Sequence, residues 1–145
     1  MQPASGTCIV AYLLFIVCAG CAPNYERAQM KARESAAIHD VTAINTAQAM
    51  YYNIASKYAA SLPELCGSST GAPSGEAMLA GSICTGEARG YVFTVASTAP
   101  AKSYTVDAKP KTPGSSGRRF FYSDQTLIVH QSENEPATAN SPEVK

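Results

Sequence analysis

The chain has no tryptophan, two histidines, and no charged side chain in its first twenty residues; all of its 11 Lys and Arg and 11 Asp and Glu lie at or beyond Glu26. His39 and His130 are too few and too far from any cysteine to make a zinc site, which needs about four ligands. Glu87, Asp107 and Asp124 fall in separate turns, so a shared calcium site is the only metal reading they leave, and no metal is assigned. A phosphate loop of the Gly-x-x-x-x-Gly-Lys type, a Gly-x-Gly-x-x-Gly following a strand and a His-Glu-x-x-His motif are all missing. Without such a constellation the chain reads as non-enzymatic and free of cofactors. A net charge of zero and an isoelectric point near 6.7 argue against a nucleic-acid partner, which calls for a basic face. With 145 residues there is room for one domain plus extensions at its ends.

From Cys8 to Ala19 the chain is unbroken apolar. A run of this length is short for a spanning helix, which takes about 20 residues, and fits a signal-peptide core of about 7 to 15. Cys18-Ala19-Gly20-Cys21 follows and resembles the lipobox of bacterial lipoproteins, a resemblance that implies lipidation at Cys21. The other reading is an uncleaved apolar anchor helix whose cysteines are small apolar residues. Both place residues 1–20 at a membrane as a signal or anchor segment.

Removing Cys8, Cys18 and Cys21 from the count leaves Cys66 and Cys84. An even remainder in an exported chain reads as one disulfide, with two free buried thiols as the alternative. Between Glu26 and Tyr58 there is neither Gly nor Pro, which predicts one long helix over about residues 24–59. Ala37, Val41, Ile44, Gln48, Tyr51, Ala55 and Tyr58 alternate in spacings of four and three, so they form one stripe that must be buried. The charged residues at its start, Glu26, Arg27, Lys31, Arg33, Glu34 and Asp40, read as solvated or as facing partner subunits.

Residues 60–89, with Pro63 and the Gly- and Ser-rich run at 67–75, read as a loop region carrying a short helix over 76–83. Strand patterns follow at 91–95, 104–108, 119–122 and 127–130, joined by short turn-like stretches, and predict an antiparallel four-stranded meander over 90–131. Helix and sheet together give an α+β domain spanning 21–132, one layer on the other. Residues 133–145, rich in Glu, Asn, Pro and Ser, read as a disordered tail.

Between Glu87 and Asp124 six cations (Arg89, Lys102, Lys109, Lys111, Arg118, Arg119) face three carboxylates. Such a bias reads either as a basic edge that meets a polyanion, DNA included, or as strand edges protected from edge-to-edge pairing. Arg27, Lys31, Arg33, Arg118 and Arg119 are the candidate partner-binding residues. Tyr51, Tyr52 and Tyr58 read as core between helix and sheet, with a binding platform as the alternative.

The order of these elements resembles that of type IV pilins and the pseudopilins of type II secretion. Ala22-Pro23-Asn24-Tyr25, the charged Glu26-Arg27-Ala28, and Ile44 through Tyr52 are similar to the pilin helix; Leu62-Pro63-Glu64-Leu65, Gly90-Tyr91-Val92-Phe93 and Gly117 through Asp124 are similar to the sheet half. A lipobox-like signal stands where those families carry a prepilin leader. The resemblance implies a non-catalytic subunit of a pilus or secretion machine in the bacterial envelope, membrane-anchored, with its globular part outside the cytoplasm and other pilin-like subunits as partners. The alternative is a lipid-anchored monomeric headpiece that binds a partner or surface ligand.

Overall fold

A computed structural model describes residues 22–67, 77–98 and 100–145. Helix α1 runs Ala22–Ala55 and is followed by a one-turn helix α2, Leu62–Leu65, and a 3₁₀ turn, Ser82–Thr85. Five strands then succeed one another: β1 Glu87–Ala88, β2 Tyr91–Thr98, β3 Ser103–Pro110, β4 Arg119–Asp124 and β5 Val129–Glu133. They form one antiparallel sheet in chain order, with α1 lying across β3, β4 and β5.

The α+β arrangement is the one expected, and the first five residues of the stripe are buried: Ala37, Val41, Ile44, Gln48 and Tyr51 are each 1% exposed or less, whereas Ala55 is half-buried and the half-buried Tyr58 lies beyond the end of α1. Opposite them lie Tyr91, Phe93 and Val95 of β2, Tyr104, Val106 and Ala108 of β3, and Phe121 of β4, every second residue of each strand. A buried polar chain ties the layers together. Asn45 Nδ2 donates to Ser123 Oγ at 2.8 Å, Ser123 Oγ donates to the Ile128 carbonyl at 2.8 Å, and the Tyr104 hydroxyl donates to Asn45 Oδ1 at 3.0 Å.

The helix ends at Ala55 rather than near residue 59. Ser56 takes a left-handed φ of 55°, and the Gln48 carboxamide then pairs with both backbone groups of Ala59, donating at 3.0 Å and accepting at 2.9 Å. That side chain acts as a surrogate peptide and folds residues 56–59 back onto the helix. Cys66 and Cys84 form the expected disulfide, which joins α2 to the 3₁₀ turn. The helix expected over 76–83 is replaced by that 3₁₀ turn at 82–85; residue 76 itself lies outside the described residues.

Three further differences concern the sheet. It has five strands instead of four, because Arg89 and Gly90, with φ of 50° and 85°, make a two-residue hairpin that adds β1. The last strand starts at Val129, since Leu127 (φ 67°) and Ile128 belong to the turn. The tail expected to be disordered returns to β5, where Gln131 N–H donates to the Pro142 carbonyl and Val144 N–H to the Val129 carbonyl, each at 2.8 Å. This pairing satisfies backbone groups that an open sheet edge would leave bare.

Candidate functional site

At the end of the sheet where β4 begins, α1 and the strands part to leave a groove of about 640 Å³. Arg27, Met30, Lys31 and Glu34 form its helical wall; Arg118 enters from the bend before β4, Arg119 from β4 itself, and Gln131 through Glu133 from β5. The floor is a half-buried ion pair. Glu34 Oε2 accepts from Arg119 Nε at 2.8 Å, and its Oε1 accepts from the backbone N–H groups of Arg118 at 2.8 Å and Arg119 at 3.4 Å. Arg119 is fixed further by Gln131, whose Oε1 accepts from Nη1 at 2.8 Å, and by the Phe121 ring, 5.6 Å from its guanidinium carbon.

Burial alone would raise the Glu34 pKa, but the Arg118 amide, the Arg119 side chain and charge, and the Arg119 amide together hold it below the ordinary carboxylate value. Next to the pair, the Tyr91 hydroxyl donates to the Arg119 carbonyl at 2.9 Å. Gly117 makes that approach possible: a Cβ there would lie 2.1 Å from the Tyr91 hydroxyl.

The groove gathers four of the five candidate partner-binding residues, Arg27, Lys31, Arg118 and Arg119. Arg33 lies apart, in a neighbouring hollow, and donates to the Ser115 carbonyl and to Gln29 Oε1, both at 3.3 Å. Arg119 is committed to the floor. Arg27, Lys31 and Arg118 are exposed and have no carboxylate partner among the described residues. Counting the floor pair and Glu133, four cations meet two carboxylates, a local excess of two positive charges. These three rim cations can receive an anionic surface.

The other cations of the 87–124 stretch do not join this rim. Arg89 grips both oxygens of Asp40 at 2.7 and 2.8 Å, and Lys111 pairs with Glu87 at 2.5 Å. Glu34 and Asp40, expected to be solvated, are therefore bound to arginines of the sheet end. His130 is buried, at 9% exposed, with Nδ1 2.7 Å from the Ser141 carbonyl oxygen of the returning tail. Among the described residues no group of three or more His, Cys, Asp or Glu side chains converges on a metal position. Tyr51 is core, whereas Tyr52 is 39% exposed and stacks on Tyr58, itself stacked on Tyr104, at centroid distances of 4.7 and 4.8 Å.

Residues 23–118 match the family model of the type IV minor pilin ComP, DNA uptake sequence receptor. The chain belongs to that family. No curated protein and no solved structure matches it. The stretch matched to the ComP family carries the helical wall of the groove and ends at Arg118, so all of β4, all of β5 and the returning tail lie beyond it. Cys21, the expected lipidation site, lies outside the described residues. Among the described residues no helix is long and apolar enough to cross a membrane. The receptor role in the family's description sits against the exclusion of nucleic acid drawn from net charge. Net charge sums over the whole chain, whereas contact with a polyanion depends on where exposed cations gather.

Proposed function

We propose that this chain is a non-catalytic minor-pilin subunit of a bacterial type IV pilus or type II secretion-type machine in the cell envelope. It would be held there through its N-terminal segment, with the sheet domain outside the cytoplasm. The ComP-family match over residues 23–118 carries this reading and favours it over a lipid-anchored monomeric headpiece. Shearing pili from cells that express the full chain and probing the sheared fraction tests it. The chain is expected in the filament fraction; its confinement to membranes as a single subunit would restore the headpiece reading.

A second role is supported by a separate observation, the exposed Arg27, Lys31 and Arg118 around one groove, together with the DNA-receptor role of the family. In this reading the three cations contact the phosphates of double-stranded DNA, and Arg119 positions Arg118 through the Glu34 pair without touching the ligand. Fluorescence anisotropy with labelled duplex DNA and the purified full chain measures this. The variant with all three residues changed to Ala is expected to bind at least about tenfold more weakly at low salt, since phosphate contacts dominate affinity. Equal affinity of wild type and triple variant would remove the groove from DNA binding while leaving the subunit reading intact.

A further inference from the structure

The C-terminal return is built to a specific register. Asn134, with a left-handed φ of 68°, turns the chain after β5, and a turn closed by the Ser141 N–H on the Thr138 carbonyl brings it back. His130 and Glu143 then face each other as an antiparallel pair, flanked by the two backbone hydrogen bonds Gln131 to Pro142 and Val144 to Val129. The His130 ring nitrogen adds its contact to the Ser141 carbonyl.

Few groups hold the segment in place. Between Asn134 and Ser141 only Ala137 is buried, and the hollow around it, about 240 Å³, includes Lys109 and Phe120 of the outer sheet face. Val144 adds a partly buried contact with the core. A segment with so little buried apolar surface opens at small free-energy cost compared with the sheet it covers. Opening bares the β5 edge, which then presents the Val129 carbonyl and the Gln131 amide for pairing.

The occupant that fits this edge is already defined by what sits on it: a carbonyl at Pro142, an amide at Val144 and the Ser141 carbonyl within reach of His130. The same residues of a second copy present these groups identically. Residues 134–140 reach up to about 25 Å when extended, enough to cross to an adjacent molecule. We propose that β5 is a strand-acceptor edge and that residues 141–145 are exchanged reciprocally between two copies of this chain, giving a two-fold dimer. This exchange needs no filament and stands independently of the subunit reading.

The His130–Glu143 pair provides the test, because the two flanking hydrogen bonds make it a non-hydrogen-bonded pair, the closer of the two antiparallel types and within disulfide reach. In the full chain with Cys8, Cys18 and Cys21 changed to Ser, His130→Cys and Glu143→Cys are made singly, mixed at high concentration and oxidised. A covalent dimer with a 130–143 disulfide mapped by peptide mass is the expected product. If the mixture gives no such dimer while the double variant closes within one chain, the tail belongs to its own molecule and the proposal falls. Sedimentation of the wild-type chain provides a measurement free of new cysteines. Its dimer fraction should rise with concentration, and Val144→Pro, which removes the pairing amide, should abolish it; a wild type that stays monomeric throughout overturns the exchange.

Discussion

Glu34 shows how much of a buried polar contact can be read from spacing. It stands three residues before Ala37 and so continues the stripe of Ala37, Val41, Ile44 and Gln48 by one step, yet its charge marks it as solvated when the sequence is read alone. What the spacing leaves out is the counter-ion, since Arg119 is 85 residues away and reaches the helix only once β4 is in place. The carboxyl is held below its ordinary value of 4.5, so its contribution to stability is fully present above that pH and is lost as pH falls through the lowered value. Thermal melts of the wild type should therefore lose stability on acidification below about pH 4.5. Glu34→Gln should cost about 1–3 kcal/mol at neutral pH, by leaving a charged donor without its acceptor, and should flatten this acid limb. A variant with an acid limb as steep as that of the wild type would show that other carboxylates set it.

Among the elements, α1 and the strands β2 to β4 were legible because long periodic patterns with Gly and Pro at their borders leave little choice. The two-residue β1 was not, since Arg89-Gly90 lacks the Asn-Gly or Asp-Gly signature of its turn type, and only pairing with β2 reveals it. The tail was misread for a related reason. Its composition supplies no core, and its order comes from backbone hydrogen bonds to β5, which composition does not encode. The disulfide was legible from cysteine parity, and its place in the fold predicts its effect. It closes an 18-residue separation that runs from the end of α2 into the 3₁₀ turn, outside the sheet. Changing both Cys66 and Cys84 to Ser should cost about 3 kcal/mol in the chain-entropy model. For a domain of this size that lowers the melting temperature by roughly 10 °C or more, with the far-ultraviolet spectrum of helix and sheet kept. An unchanged melting temperature would mean that the packing of α2 and the 3₁₀ turn holds them together without the bond.

At the scale of the whole molecule, zero net charge is the sum of an uneven distribution. The groove carries an excess of two positive charges, and residues 134–145 carry Glu135 and Glu143 against Lys145. The sequence names these cations as candidates without revealing that Arg27 and Lys31 meet Arg118 across the layer boundary, because that meeting depends on how the helix crosses the sheet. A neutral molecule steers a polyanion weakly at long range, so the proposed DNA contact would rest on short-range contacts whose number salt dependence can count. Each phosphate contact on duplex DNA contributes about 0.9 to the slope of log affinity against log salt. Replacing Arg27, Lys31 and Arg118 by Ala should therefore reduce the magnitude of that slope by about 2 to 3, whereas replacing Lys111, paired with Glu87 away from the groove, should leave it unchanged. If the Lys111 variant loses about 0.9 of slope while the triple variant loses none, DNA meets the sheet at its β1–β3 side, and the groove is then left to its other candidate occupant, a neighbouring subunit.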